Sequence, residues 1–106
     1  MCGRFTLTTT EDLAGRFGVS GETSPMEPSF NMAPASEVAA VGADAEGNRR
    51  LRRLRWGLVP GWAEDPGIGQ RMINARAETV AHKPAFKNAL QRRRCLIPAD
   101  GFYEFM

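Results

Sequence analysis

The chain has 106 residues, which suits one domain and is too short for two. Its composition, 42% hydrophobic and 25% charged, is ordinary for a soluble globular protein, and no apolar run approaches the ~20 residues needed to cross a bilayer. The first residues lack the regions of a secretory signal, so we expect a cytoplasmic protein without a membrane partner.

Charge is distributed unevenly along the chain, although the net charge is only +2. Residues 1–48 carry two basic and seven acidic side chains, a net of −5, whereas residues 49–106 carry twelve basic and five acidic ones, a net of +7. Twelve of the fourteen basic residues are arginine, whose planar guanidinium suits phosphate. The basic half is a candidate phosphate-binding surface, with a solvated charged face as an equal alternative.

The first third of the chain predicts a strand, a short helix and a long loop. Alternation over residues 3–7 predicts a half-buried strand. Thr8 and Glu11 have the spacing of a capping box for a following helix, and Gly18 is a suitable residue to end that helix. Residues 20–36 contain three prolines and no periodicity, which indicates a loop.

The rest of the chain predicts a hairpin, a helix and two more strands. The hairpin strands are expected at residues 37–43 and 49–59. A helix should begin with Pro84, end near Arg92 and bury its apolar face. Further strands are expected near residues 94–98 and from residue 102, after a turn at Asp100 and Gly101.

The last strand pattern stops at Met106 without a cap or polar terminus. A sheet whose last strand is cut leaves backbone groups unpaired. We therefore expect the sequence to be the N-terminal part of a longer domain, or to receive a second half from elsewhere.

The two cysteines make no disulfide framework and lack zinc-ligand spacing, so we expect no metal and no cofactor. Cys95 is typical of a small hydrophobic residue in a buried strand. Cys2 differs, because removal of Met1 leaves an α-amine beside its thiol. Such a 1,2-aminothiol condenses with an aldehyde and closes a thiazolidine ring. A chance cysteine at position 2 is the alternative.

Five short segments occur in one order along the chain: Met1–Phe5, Asn31–Pro34, Trp56–Trp62, Ile73–Thr79 and Ile97–Phe105. Each is weak evidence alone. Together, in this order and spacing and across essentially the whole chain, they resemble the SRAP family, which shields abasic sites in DNA by covalent crosslinking.

The resemblance implies catalytic roles for three residues. Cys2 is the nucleophile that forms a thiazolidine with the ring-opened sugar, Asn74 orients the N-terminal residue and the sugar, and Glu104 shuttles protons. Alternation in the last strand puts Glu104 on one face with Phe102. Partial burial there would favour the protonated carboxyl that proton transfer needs. A carboxylate paired with an arginine is the alternative.

The resemblance also implies DNA contacts. Phosphate binding falls to Arg4 and Arg76, pocket shaping to Asn31 and Pro34, and base contact to Trp56 or Trp62. For the tryptophans the alternative is core packing; for Asn74 it is a turn, and for Arg76 it is an ion pair with Glu78 on one face of a strand. The arginine-rich run at residues 49–55 lies outside the matched segments, and we assign it to solvent rather than DNA.

The sequence departs from the family at one point. The family carries a functional histidine in its second half, and the one histidine here, His82, stands in another context. We expect His82 to be a surface residue near the start of the second helix.

We therefore expect an α+β fold, residues 1–106 being the N-terminal part of a SRAP-like domain, with a bent, barrel-like antiparallel sheet and short peripheral helices. The expected function is an abasic-site sensor that forms a crosslink to single-stranded DNA through Cys2 during DNA repair and the SOS response, near the nucleoid and as a monomer when full length. The alternatives are a cysteine-dependent autoprocessing peptidase and a non-catalytic module that binds single-stranded DNA.

Overall fold

The structure, a computed structural model, describes residues 2–21, 23 and 26–104. The described elements, in chain order, are β1 (Arg4–Leu7), α1 (Leu13–Phe17), β2 (Ser29–Met32), β3 (Glu37–Ala43), β4 (Arg49–Arg55), a 3-10 helix (Pro66–Arg71), α2 (Pro84–Arg92) and β5 (Gly101–Tyr103). The expected α+β class is confirmed. The described strands form two separate antiparallel sheets rather than one closed barrel, with orders β2-β1-β5 and β3-β4.

The core forms where β1 and α1 meet the β3–β4 hairpin. Leu7, Leu13 and Ala39 are buried together, with exposures of 3%, 6% and 4%. Partly buried side chains from β2 and β4, among them Met32 and Leu51, pack against them. Burial of a leucine side chain contributes about 1.5–3 kcal/mol, so this cluster fixes β1 against the hairpin.

The hairpin has the predicted position and an unbroken register from Glu37 opposite Arg55 to Ala43 opposite Arg49. Its second strand ends four residues earlier than expected. β3 is buried at four successive residues, Val38–Val41. Ala39 packs in the core cluster, and the chain at Leu96 pairs with the edge of β3 that faces away from β4, through two backbone bonds with Val41 of 2.8 Å each.

The expected capping box at Thr8 is wrong. Helix α1 begins at Leu13, after Asp12 in the left-handed region, and Asp12 makes no side-chain cap. The amide and hydroxyl of Thr8 donate instead to the carboxylate of Asp100, at 2.6 and 2.8 Å. The Thr8 groups that a local helix cap would use are therefore bonded to Asp100, a distant residue in the sequence. Gly18 ends α1 as predicted, with φ of 64°.

Asp100 fastens β1 to the residues just before β5. Its carboxylate also accepts from the Thr6 hydroxyl at 2.7 Å and from the Thr9 amide at 3.0 Å. The Thr6 hydroxyl, followed by the Thr8 and Thr9 donors, holds the pKa of Asp100 well below its ordinary value. These bonds favour the charged carboxylate, so they stabilise the fold only while Asp100 is ionised.

The lowered pKa of Asp100 predicts how the stability of the fold changes in acid. The contribution of Asp100 should be fully present above its unfolded-state pKa of about 4 and be lost as the pH falls toward its lower folded-state pKa. Urea midpoints of the natural chain and of Asp100→Asn should therefore differ at pH 7 and converge below about pH 4. Glu11→Gln, an exposed carboxyl, serves as the control. Parallel pH profiles for the natural chain and Asp100→Asn would contradict the prediction.

Several expectations for the irregular segments are wrong. The predicted loop contains β2, because Phe5 and Leu7 pair with Met32 and Ser29. Residues 94–98 form a single bridge instead of a strand, and Cys95 is exposed rather than buried.

The segment 74–79 forms coil and turn, so no strand aligns Arg76 with Glu78. Helix α2 has the predicted bounds, but its apolar side chains are only half-buried. His82 is exposed in the turn before α2, as expected.

Some predictions concern residues outside the described set: the removal of Met1, the loop residue Pro25, and the continuation of the last strand through Phe105. In the part of the chain that is described, no helix combines the length and apolar character that membrane crossing requires.

Candidate functional site

Cys2 lies at a cleft of about 670 Å³ between the hairpin, the segment after β4 and the end of α2. Its lining includes the side chains of Cys2, Phe5, Trp56, Asn74, Arg93 and Cys95. The cleft is open and lined mainly by apolar residues, with Cys2, Arg55, Asn74 and Arg93 as its polar groups. An apolar cleft with a few polar groups is typical of a ligand-binding site.

Asn74 holds the N-terminal segment at this cleft. Its side-chain Nδ2 donates to the Cys2 carbonyl oxygen at 2.7 Å, although 72 residues separate the two. The Cys2 thiol faces the Arg4 carbonyl oxygen at 3.5 Å and is half-buried. Asn74 is therefore not confined to a local turn. The structure brings the predicted nucleophile and its predicted orienting residue into contact.

The segment after β4 positions Asn74 by bonds to the two residues before it. The Trp56 indole Nε1 donates to the Ile73 carbonyl at 3.0 Å, and the Leu58 amide donates to the Met72 carbonyl, also at 3.0 Å. These bonds fix the backbone leading into Asn74. Trp56, assigned to base contact as one option, thus has a structural function here whether or not it also meets DNA.

Two further contacts hold Trp56 and Gly57, the first residues after β4, in place. The Trp56 ring packs on the ring of Phe5, with centroids 5.3 Å apart and planes inclined by 58°. Gly57 has φ of +130°, and a Cβ there would overlap the carbonyl of Gly69 in the 3-10 helix. Only glycine combines that conformation with such a close approach. Through Trp56 and Gly57, the end of β4 therefore contacts both β1 and the 3-10 helix.

Arg4 and Asn31 also come together, on the exposed side of the β1 sheet. Arg4 Nη1 donates to Asn31 Oδ1 at 3.0 Å. Beside them the Tyr103 hydroxyl donates to the Phe30 carbonyl at 2.9 Å, and the Phe30 ring is 72% exposed. A guanidinium, an amide and exposed aromatic rings share this surface.

Tyr103 of β5 pairs with Arg4 of β1, and Glu104 follows Tyr103 in the chain. The same antiparallel register, continued by one residue, places Glu104 opposite Gly3, next to Cys2. Its side chain is exposed, so the burial that we expected is wrong. Its neighbour Phe102 is likewise 67% exposed, because no described element covers that face of β5. Glu104 is near the N-terminal segment in the sheet but does not line the cleft.

The remaining predicted residues, Arg76, Trp62 and Pro34, lie outside the lining of the cleft. Arg76 is exposed two residues after Asn74, and its carbonyl accepts amides of the following turn. Trp62 is 64% exposed and Pro34 is half-buried. None of the three lines the cleft. Their DNA roles stay predictions.

Two contributors were missed by the sequence reasoning. Asp100 was assigned to a turn, although its place inside the last matched segment was a signal for a larger role. Cys95 was assigned to the core and lines the cleft instead. Among residues 2–21, 23 and 26–104, no group of three or more histidine, cysteine or acidic side chains is arranged to hold a metal ion.

Fold and site together define an α+β domain with its N-terminal cysteine held at a cleft. The chain belongs to the SRAP family, described as SOS response associated peptidase, which it matches over residues 1–106. This agrees with the resemblance of the five sequence segments.

The relatives carry a common name. The chain is 48% identical to abasic site processing protein YoaM of Bacillus subtilis over 99% of this chain and 47% of that protein. It is 33% identical to abasic site processing protein YedK of Escherichia coli, over 99% of this chain and 48% of that protein. The chain thus spans about half the length of these relatives.

A solved structure is also similar. A crystal structure of a protein from Bordetella bronchiseptica superimposes with a TM-score of 0.70 and 28% identity, covering 97% of this chain and 50% of the other. The similarity therefore extends over almost all of the present fold.

Proposed function

We propose that this chain captures abasic sites in single-stranded DNA through Cys2, as part of DNA repair and the SOS response. The proposal rests on one observation above all: the 2.7 Å bond from Asn74 to the Cys2 carbonyl, which holds the N-terminal residue at an open cleft. The name shared by the relatives, abasic site processing protein, supports the same substrate.

The chemistry begins when Met1 is removed. The free α-amine of Cys2 adds to C1 of the ring-opened abasic sugar, and the carbinolamine loses water to give an imine. The thiol then adds to the imine carbon and its proton passes to nitrogen, which closes a thiazolidine. The products are the ring and one water, so no oxidant, metal or cofactor is needed.

The other residues supply position and proton transfer in this proposal. Asn74 fixes the direction of the amine through the adjacent carbonyl. Glu104, one residue past the strand that pairs with β1, assists sugar opening and carbinolamine dehydration. Arg4 and Arg76 hold flanking phosphates, and Trp62 stacks on an exposed base. Asn31, which accepts a bond from Arg4, and Pro34 shape the DNA surface outside the cleft, since neither lines the cleft itself.

The test uses three single-stranded oligonucleotides of one sequence, carrying an abasic site, its closed tetrahydrofuran analogue or an intact base. Mass spectrometry first verifies that Met1 is absent. We expect a band resistant to denaturation only with the abasic strand, at the summed mass less one water. Equal, salt-reversible binding to all three strands would contradict the proposal and favour a non-catalytic module. Turnover of peptides by the mature chain would favour a peptidase.

A further inference from the structure

A second groove, of about 290 Å³, lies beside the cleft on the outer face of the hairpin. We call it the arginine groove, because Arg52 of β4 and Arg92, Arg93 and Arg94 at the end of α2 all line it. No acidic residue is among its lining residues. This segregation of positive charge has no role in the chemistry proposed for Cys2.

The hairpin register produces one side of this groove. Arg52 pairs with Ala40, and Arg50 pairs with Gly42, so the small side chains of β3 form a low floor beside Arg52. The bridge between Val41 and Leu96 holds the chain that follows α2 along the same strand. Arg52 and Arg94, 42 positions apart in sequence, are thereby brought to face one groove.

These arginines differ from their neighbours in what they contact. Arg50 forms an ion pair with Asp44 at 2.9 Å, and Arg49 donates to the Phe17 carbonyl at 2.9 Å, so both have structural partners. Within the described part of the chain, the groove arginines form no ion pair, although Arg94 Nε donates to the Leu90 carbonyl at 2.5 Å. Like charges that converge without a carboxylate are destabilising unless an anion joins them.

The arginine groove is continuous with the cleft that holds Cys2. Leu54, Arg93 and Cys95 line both of them, and Arg55 adds another guanidinium on the cleft side. The backbone of a DNA strand that passes from the cleft into the groove therefore stays beside arginine side chains along its path.

We propose that the arginine groove binds the phosphates of the DNA strand that flanks the captured nucleotide, and so sets the direction in which the strand leaves the cleft. This rests on the proposed function for the substrate at Cys2. Guanidinium groups release counterions from each phosphate that they bind, so affinity depends on salt. The arginine-rich run of β4, which we assigned to solvent from sequence, thus divides into structural arginines and a DNA-binding one.

The test measures reversible binding, so that it is independent of crosslinking. The ligands are single strands containing the tetrahydrofuran analogue, one long and one with a single nucleotide on each side of the lesion. The variant is Arg52→Gln with Arg92→Gln. Its control is Arg16→Gln with Arg71→Gln, two exposed arginines outside the groove that give the same change in net charge.

The groove variant should bind the long strand roughly tenfold more weakly at low salt. Its slope of log affinity against log salt should fall in magnitude by about 1.4, which is ~0.7 for each of two lost phosphates. The loss should be confined to the long strand and absent from the control variant. Equal salt slopes for the two variants would overturn the proposal. A change of oligomeric state in the groove variant alone would also overturn it, because the groove would then be an interface between protein chains.

The two proposals fail in different ways. If the natural chain forms no adduct with an abasic strand but the groove variant still loses affinity for the long analogue, the Cys2 chemistry is wrong and the groove stands. If the natural chain forms the adduct and both variants bind the long strand alike, the groove assignment is wrong and the Cys2 chemistry stands.

Discussion

A Cys2→Ser variant should yield no denaturation-resistant adduct with an abasic strand. Serine is also small enough for Met1 to be removed, so its α-amine can still form an imine. Its hydroxyl is a weaker nucleophile than a thiol, and the imine returns to aldehyde in water instead of closing to a stable ring. The measurement is a denaturing gel of the abasic strand after incubation.

Borohydride separates the two stages of the reaction. Reduction during incubation should trap the serine variant as a secondary amine, which restores a band and shows that the site still binds the aldehyde. The matched control is Cys95→Ser, the same exchange at the other cysteine, which should retain the adduct without reductant. A stable adduct of Cys2→Ser in the absence of borohydride would remove the thiol from the mechanism.

An Asn74→Ala variant should form the adduct about tenfold more slowly. The bond to the Cys2 carbonyl is lost, and a single hydrogen bond of about 1 kcal/mol net accounts for roughly a fivefold effect. Looser orientation of the amine supplies the rest. Single-turnover kinetics on the abasic strand measure the rate, and binding to the tetrahydrofuran strand measures affinity separately. The rate should fall while the affinity changes little.

Two more variants identify the cause. Asn74→Asp keeps the shape of the side chain but, when ionised, lacks a donor, so it should be slowed as much as alanine. Asn88→Ala, on an exposed turn of α2, should react at the natural rate. An aspartate variant as fast as the natural chain would show that shape, not donation to the Cys2 carbonyl, is what matters.

Local patterns were sufficient for the elements that depend on neighbouring residues. The alternation in β1, the first hairpin strand, the start of the second and the bounds of α2 were all predicted, since apolar period, turn residues and Pro84 act within a few positions. The ending of α1 at Gly18 follows for the same reason, because a left-handed residue closes the helix locally.

Elements that depend on distant partners were not predictable in this way. Thr8 looked like a helix cap because its actual partner, Asp100, is 92 residues away. β2 exists because β1 pairs with it, and its sequence alone, with prolines nearby, resembled a loop. The exposure of Glu104 and Cys95 depends on which elements cover them, which no local pattern reports.

The site was predicted by resemblance rather than by periodicity. Nothing in the spacing of Cys2 and Asn74 required their contact, and the alternative for Asn74 was a simple turn. The arginine-rich run shows the converse limit. Its sequence is uniform, yet Arg50 binds Asp44 and the Ser20 carbonyl while Arg52 faces the groove. The two arginines lie on the same face of β4, two residues apart, so the difference comes from the segments packed beside each of them, which the run itself does not specify.

The pairing of β1 with both β2 and β5 has a consequence for biosynthesis. The first strand of the chain cannot complete its sheet until residues 101–103 have left the ribosome, because they form its second edge. Non-local pairing of this kind delays folding relative to translation. Until residues 101–103 have emerged, β1 lacks its second neighbour and Thr6, Thr8 and Thr9 lack the carboxylate of Asp100, so the segment that carries Cys2 stays open to solvent during that part of synthesis.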